Sequence, residues 1–401
     1  MNITGIITEY NPFHNGHLYH LTEAKKATNS DGVICIMSGN FVQRGGPAIV
    51  DKWKRTEMAL ECGVDLVLEL PTFYAVSSAE IFARGAISIL NSLGIVDNLY
   101  FGSECGNIEQ LYKIARILTT NNDSFNSILK NNLKEGISFA KAREKSLIDF
   151  SKDTSIKEVI SSSNNILGIE YIKAILLEKS NIKPYTLKRE GNKYNDTSLS
   201  SIFSSATSIR KTLLDNINSL DTLNNLMPLS SVNILKESLN TGYSFSFDED
   251  LYKYLRYKIS TNCVNFNNLY EISEGLDKKI IKEILDSTSY EDLILRIKSK
   301  RYTYTKISRL LTQIFIGFDN FTLNKDTISQ YNYGRILGFN SKGREILSLI
   351  KKKSSIPLIT KVPKHPNNPL LELDILSTKA YSILNSSLNP KSDYLKGPII
   401  K

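Results

Sequence analysis

The stretch Ile3 to Leu21, ITGIITEYNPFHNGHLYHL, limits what this chain can fold into more than any other. It opens with a short apolar run rich in β-branched residues, Ile3 to Thr8, the composition of a strand buried within a parallel sheet. Asn11-Pro12 then stops the strand and starts a turn. From His14-Asn15-Gly16-His17 onward, Leu18 and Leu21 set a helical spacing that predicts a helix to about Ala27. Three of the four histidines, His14, His17 and His20, therefore fall at one turn-to-helix junction. Such a junction aims backbone N–H groups and the positive end of a helix dipole at an anion. His14 and His17, three apart, share a helix face, and Gly16 lets a bulky anion approach the backbone. So placed, two imidazoles can hold phosphate oxygens as negative charge builds up on them. The plainer alternative is a set of polar surface residues at a helix start, and the preceding apolar strand argues against it.

Downstream, apolar runs alternate with helical patterns. Gly32 to Ser38 reads as a second buried strand, followed by the loop Phe41-Val42-Gln43-Arg44-Gly45-Gly46-Pro47 at a carboxyl edge, where open α/β sheets bind ligands. Lys52, Lys54 and Arg55 open a helix running to about Cys62. Cations at a helix start oppose the dipole, so either an anionic ligand compensates or this is a solvated basic face. Asp65 to Leu70 is a third strand, Ser78 to Leu93 a helix and Leu99 to Phe101 a fourth strand. That strand ends in Gly102-Ser103-Glu104, where a missing side chain lets a flat base or ribose lie against the backbone. Residues 106 to 162 read as a helical insertion. Asn164 is expected to cap a helix over Ile169 to Glu178. A fifth strand, Ile182 to Lys188, delivers Arg189 and Glu190 to the same edge. In Ser204-Ser205-Ala206-Thr207-Ser208-Ile209-Arg210, hydroxyls at a helix start and a planar guanidinium are suited to a second anion, a weak signal taken alone.

Asn11-Pro12-Phe13-His14-Asn15-Gly16-His17 resembles the HxGH signature of the HIGH-type nucleotidyltransferase superfamily, which activates substrates at the α-phosphate of a nucleotide. The longer string GIITEYNPFHNGHLYHL, together with SGNFVQRGGPAIVDKWKR, is similar to the bacterial tRNA(Met) cytidine acetate ligases. The similarity runs at least to Arg210, and the Ser-x-Thr-x-Ile-Arg core departs from the KMSKS form of tRNA synthetases. The fold implied is α/β, a Rossmann-like doubly wound parallel sheet with a helical insertion, followed by a mainly α-helical, basic C-terminal domain.

For the site, the resemblance implies ATP contact along Ile7, Thr8, Glu9, Tyr10, Asn11, Pro12, Phe13, His14, Asn15, Gly16, His17, Leu18, Tyr19 and His20, and at Gly102, Asn164, Arg189 and Ser205. His14 and His17 would stabilise the pentavalent phosphorus, while Thr207 and Arg210 would hold the leaving pyrophosphate.

Two domains are expected from 401 residues, divided near residue 215. The net charge of +9 is uneven: residues 1 to 220 carry 24 Lys and Arg against 23 Asp and Glu, residues 221 to 401 carry 26 against 18. A basic second part suggests a polyanion such as nucleic acid, although Lys-rich composition alone has the same appearance. After Leu214 the strand-helix alternation stops and the pattern to Lys353 reads as helices. Lys298, Lys300, Arg301, Tyr302, Tyr304, Lys306 and Arg309 interleave cations with aromatics, either an RNA surface or a basic helix start over core tyrosines. Arg44, Lys52 and Arg55 are expected near the phosphates or the RNA.

Four scattered cysteines, without CxxC or metal spacing, predict free thiols and no structural zinc site. No apolar run approaches the ~18 residues of a membrane span, and no signal peptide is evident, so a cytoplasmic enzyme with no membrane partner is expected. The resemblance implies acetate and elongator tRNA(Met) as substrates with ATP, and magnesium is expected as the companion of ATP. Two other functions fit the residues: an adenylyltransferase acting on a small molecule, and a non-catalytic RNA-binding protein that retains ATP.

Overall fold

The computed structural model describes residues 1–120, 122–137, 139–189, 205–216, 219–273, 275–324 and 328–401. Its strands are β1 (Ile3–Thr8), β2 (Gly32–Ser38), β3 (Leu66–Leu70), β4 (Asn98–Ser103), β5 (Lys183–Lys188), β6 (Gly334–Phe339) and the two-residue β7 (Leu358–Ile359) and β8 (Ile399–Ile400). They form one sheet in the order β5-β4-β1-β2-β3-β6-β7, with β8 on β6. Every pairing is parallel except β3 with β6.

Alternation along the strands explains why both faces are covered. In β2, Ile34 and Ile36 belong to one apolar cluster, and Val33, Cys35 and Met37 to the other. All seven residues of β2 are buried, so the strand reads as a continuous apolar run. Helix α1 (Asn15–Ala27), helix α2 (Lys52–Glu61) and the helices Ala206–Asp215 and Leu229–Asn240 feed the second cluster. The helices Ala79–Ser92 and Ser163–Leu177 pack on the first.

The chain winds β1, β2, β3 in one direction and then returns to place β4 on the other side of β1. The strand order thus reverses at the β1/β4 boundary, and a crevice opens there beyond the carboxyl ends. The turn after β1 lies at that crevice.

One expectation fails in the second half. The alternation does not end at Leu214, because Gly334–Phe339 rejoins the sheet as β6, with Glu69 opposite Arg335. Sequence-local reasoning cannot see this, since β4, β5 and a long helical segment separate β6 from β3 along the chain. The first apolar cluster accordingly contains Leu90 and Phe82 together with Leu310, Leu311 and Leu370, and so runs across residue 215. The helices expected after residue 216 do form, at Leu229–Asn240, Tyr252–Ser260, Leu276–Asp286, Tyr290–Ile297 and Tyr304–Ile316.

Candidate active site

The turn between β1 and α1 is held from several directions. Tyr10 adopts a left-handed backbone (φ 49°), and the Asn11-Pro12 peptide is cis. Asn11 Oδ1 accepts from Ile49 N at 2.8 Å, while the Asn11 carbonyl accepts from Arg210 Nη1 at 2.8 Å. Glu9 Oε1 accepts from Gln43 N at 2.8 Å. Phe13 and Tyr10 are buried beneath His17, with ring centroids 5.6 and 4.9 Å from the imidazole. These aromatics form a packed floor.

On that floor the two histidines make a reciprocal cap. His14 is the N-cap of α1 and its Nδ1 accepts from Gly16 N at 3.0 Å; His17 Nδ1 accepts from His14 N at 3.3 Å. The rings stack at 3.8 Å, inclined by 27°. Because each Nδ1 receives a backbone N–H, each neutral ring must carry its proton on Nε2. Burial, then Arg189 and Arg210, push the His14 pKa down to about 3, and burial and the His14 ring lower that of His17. At neutral pH the pair is uncharged and offers two Nε2–H donors. His20, whose pKa falls to about 4 through burial and Arg189, packs on Tyr100 at 5.3 Å.

Distant segments complete the crevice. Ser205 caps the helix Ala206–Asp215, accepting from Ser208 N at 3.1 Å, and Thr207 Oγ1 accepts from Arg210 Nη2 at 3.3 Å. Arg189 follows β5, is exposed, and its side chain lies over Gly102, where an added Cβ would sit 3.3 Å from Cγ. The lowered pKa of all three histidines registers its charge. Ile7 and Thr8 end β1, with Thr8 Oγ1 3.1 Å from Cys35 Sγ. Asn15 is tied to the segment before the helix Leu229–Asn240, its backbone N donating to Leu226 O at 3.0 Å and its amide to Asn225 O at 2.9 Å. Leu18 and Tyr19 follow as half-buried residues of α1. Glu190 and Ser204 lie outside the described residues.

Three expectations need correction. Asn164 is not the helix cap: the helix is Ser163–Leu177, and Glu104 holds its start. Glu104 accepts from Asn164 N at 3.2 Å, from Asn165 N at 2.8 Å and from Asn164 Nδ2 at 2.7 Å. This contact joins residues 60 apart, and only the Gly-Ser-Glu ending of β4 hinted at it.

Lys52 and Arg55 cannot touch RNA, since both are fully buried. Lys52 Nζ pairs with Glu69 at 2.7 Å and Asp393 at 2.9 Å, and Arg335 Nη2 pairs with Asp393 at 2.8 Å. The Arg55 guanidinium is surrounded by backbone carbonyls. At the start of α2, Lys52 is thus compensated by internal carboxylates and Arg55 by carbonyl oxygens, and the cap Asp51 accepts from Trp53 N at 2.9 Å, with no anionic ligand required for either.

In the basic segment, Tyr302 is buried beneath Arg301 and Lys306 and Tyr304 Oη donates to Glu291 at 2.6 Å, so neither ring is a free stacking platform. Arg309 pairs with Glu271 at 3.4 Å and Lys306 donates to Ser273 at 3.2 Å. Lys298, Lys300 and Arg301 stay exposed, and Arg44 lies 3.3 Å from Ser163 Oγ. A cleft of about 950 Å³ is lined by the helices Ala79–Ser92 and Ser163–Leu177, by residues 270–273 and by Lys306 and Arg309, and its lining mixes cations with Glu80, Glu170, Glu178 and Glu271. Among the described residues no group of three His, Cys, Asp or Glu could hold a metal ion, and no helix is long and apolar enough to cross a membrane.

With this geometry in view, the relatives can be placed. The family profile HIGH Nucleotidyl Transferase matches residues 1–394. A tRNA(Met) cytidine acetate ligase of Clostridium novyi is 50% identical over 400 residues, covering 100% of this chain and 99% of that protein. One from Clostridium tetani is 48% identical over 407 residues, covering 100% of both. The crystal structure of Thermotoga maritima TmcAL bound with alpha-thio ATP shares 36% identity at a TM-score of 0.88, covering 100% of this chain and 99% of that one, and the apo form gives 0.90. A matching profile over nearly the whole chain and full-length relatives at about half identity place this chain in the tRNA(Met) cytidine acetate ligase family of HIGH nucleotidyl transferases.

Proposed function

We propose that this protein is an ATP-dependent tRNA-modifying ligase: it activates acetate as acetyl-adenylate and transfers the acetyl group to N4 of the wobble cytidine of elongator tRNA(Met), forming N4-acetylcytidine. The observation that carries this reading is the stacked imidazole pair, whose two Nε2–H donors share the crevice with Arg189 and Arg210. Neutral donors suit the task, because they stabilise charge that grows in the transition state without clamping the ground-state triphosphate.

An acetate oxygen attacks the α-phosphorus in line, and the bond to the bridging oxygen of pyrophosphate breaks. His14 and His17 donate to the equatorial oxygens as charge develops there. Arg210 and Thr207 hold the departing pyrophosphate, and Gly102, Asn164 and Arg189 contact the nucleoside side. The cytidine amine then attacks the acyl carbon, AMP leaves with the bonding electrons, and the amine loses one proton. No covalent enzyme intermediate is needed. Magnesium would travel with ATP, held by phosphate oxygens and water, since the described residues offer no carboxylate cage. Stacking in the anticodon loop must be broken to present the base. The exposed Lys298, Lys300 and Arg301 and the half-buried Arg44 are suited to phosphate contact, with Lys306 and Arg309 at the margin.

The test is mass spectrometry of nucleosides from elongator tRNA(Met) incubated with the protein, ATP and isotopically labelled acetate. Label in N4-acetylcytidine is expected. ATP turnover with no label in the tRNA would leave a small-molecule adenylyltransferase, and no turnover a non-catalytic RNA-binding protein.

A further inference from the structure

Among the described residues Arg55 is the largest fully buried side chain, and the four hydrogen bonds of its guanidinium there go to carbonyl oxygens. Nη1 donates to Glu9 O at 2.7 Å and to Ser38 O at 2.9 Å, Nη2 donates to Gly39 O, and Nε donates to Val50 O at 3.0 Å. The β1/β2 ladder ends at Thr8 opposite Met37, so Glu9 and Ser38 are the next pair along. The guanidinium continues the ladder where backbone pairing has stopped.

We infer that Arg55 is a positioning residue for the catalytic turn: it ties the carboxyl ends of β1 and β2 together and so sets where His14 and His17 stand. This rests on the ATP-ligase reading above. Carbonyl oxygens at the carboxyl edge of a parallel sheet carry partial negative charge and face the crevice in which a triphosphate would lie. Arg55 draws three of them inward and puts a buried positive charge beneath the rim. Directly beyond Glu9 come the left-handed Tyr10 and then Asn11, whose carbonyl Arg210 holds from the other side. Two arginines from helices far apart in sequence thus bracket the turn. Lysine cannot replace Arg55, because one ammonium cannot reach two strand ends and the Val50 carbonyl together.

The experiment compares wild type with Arg55→Lys and Arg55→Gln in three measurements: acetate-dependent ATP–pyrophosphate exchange, ATP affinity by calorimetry, and the imidazole nitrogen resonances of His14 and His17. In Arg55→Lys, kcat for exchange should fall about 100-fold, the loss expected from a misplacement near 1 Å. ATP affinity should change less than about threefold, because uniform binding is retained while transition-state alignment is lost. The imidazole resonances should move although neither ring touches Arg55. Wild-type kcat in folded Arg55→Lys would overturn the inference. So would unchanged imidazole resonances, or loss of the folded state in both variants, which marks a purely structural role. If wild type shows no acetate-dependent exchange, the proposed reaction falls, while ATP affinity and the imidazole resonances still decide the positioning role.

Discussion

The turn Asn11 to His17 and the basic segment Lys298 to Arg309 both stood out as clusters of functional residue types, yet the fold treats them in opposite ways. In the turn, local backbone geometry uses up one nitrogen of each imidazole and leaves the other free to donate. In the basic segment, tertiary neighbours take up much of what the sequence displays: Arg309 is matched by Glu271, Lys306 by Ser273, and Tyr302 is buried. A motif whose geometry closes within a few residues keeps its meaning in any context. A charge pattern means something only once the acidic residues facing it are known.

Four experiments would break or sharpen this contrast. The largest effect is expected at the turn. His14→Ala and His17→Ala should each lower acetate-dependent ATP–pyrophosphate exchange by about three orders of magnitude while tRNA binding persists, since in the proposed mechanism each removes a donor to developing charge. Near-normal exchange in either variant would remove that ring from the reaction.

Next is Lys52, displayed by the sequence among the candidate RNA contacts but buried between Glu69 and Asp393. Lys52→Met should cost about 3 kcal/mol in denaturant unfolding, because two carboxylates lose a buried partner. Its effect on the salt dependence of tRNA binding should be nil, and a change in that slope without loss of stability would restore Lys52 to the surface.

Third, replacing Lys298, Lys300 and Arg301 together by Ala should lower the log–log salt slope of tRNA binding by about 2 to 3, roughly one unit for each phosphate no longer neutralised. Lys306→Ala and Arg309→Ala should each change it by less than about 1, their side chains already having protein partners. Equal effects from both sets would erase the distinction drawn within the basic segment.

The smallest effect concerns pH. The folded-state pKa of His14 lies near 3, below its ordinary 6.5, so the unfolded chain binds more protons between those values. The stability is therefore fully present well above pH 6.5 and is lost progressively as pH falls toward 3, the loss for His14 reaching about 1.4 kcal/mol at pH 5.5. Denaturant midpoints at about pH 7.5 and about pH 5.5 should differ less in His14→Gln than in wild type. An equal difference would show that His14 titrates normally.

Much of the candidate site could be read in advance for a physical reason. A buried strand, a proline turn and a helix start each have a signature spanning a few residues, and so do the Ser205 cap and the glycine that ends β4. What could not be read was pairing across distance. Nothing near Asn164 announces that Glu104 occupies the helix start, and nothing near Lys52 announces Glu69 and Asp393. Strand β6 escaped for the same reason: six residues that follow a helical region gain strand character through pairing with the distant β3 and with β7 and β8.

The amino-acid order by itself therefore marked the turn after β1, the parallel strands around it and the capped helix starts, because each has a signature among near neighbours, while contacts from Ile49, Arg55 and Arg210 hold the turn in place. The tertiary structure alone decided which cations remain available to a ligand, which asparagine and arginine side chains are held in place, and how the C-terminal segment extends the sheet beyond β3. Burial, which sets the partner and the protonation state of each charged group, exists only once distant segments have packed together.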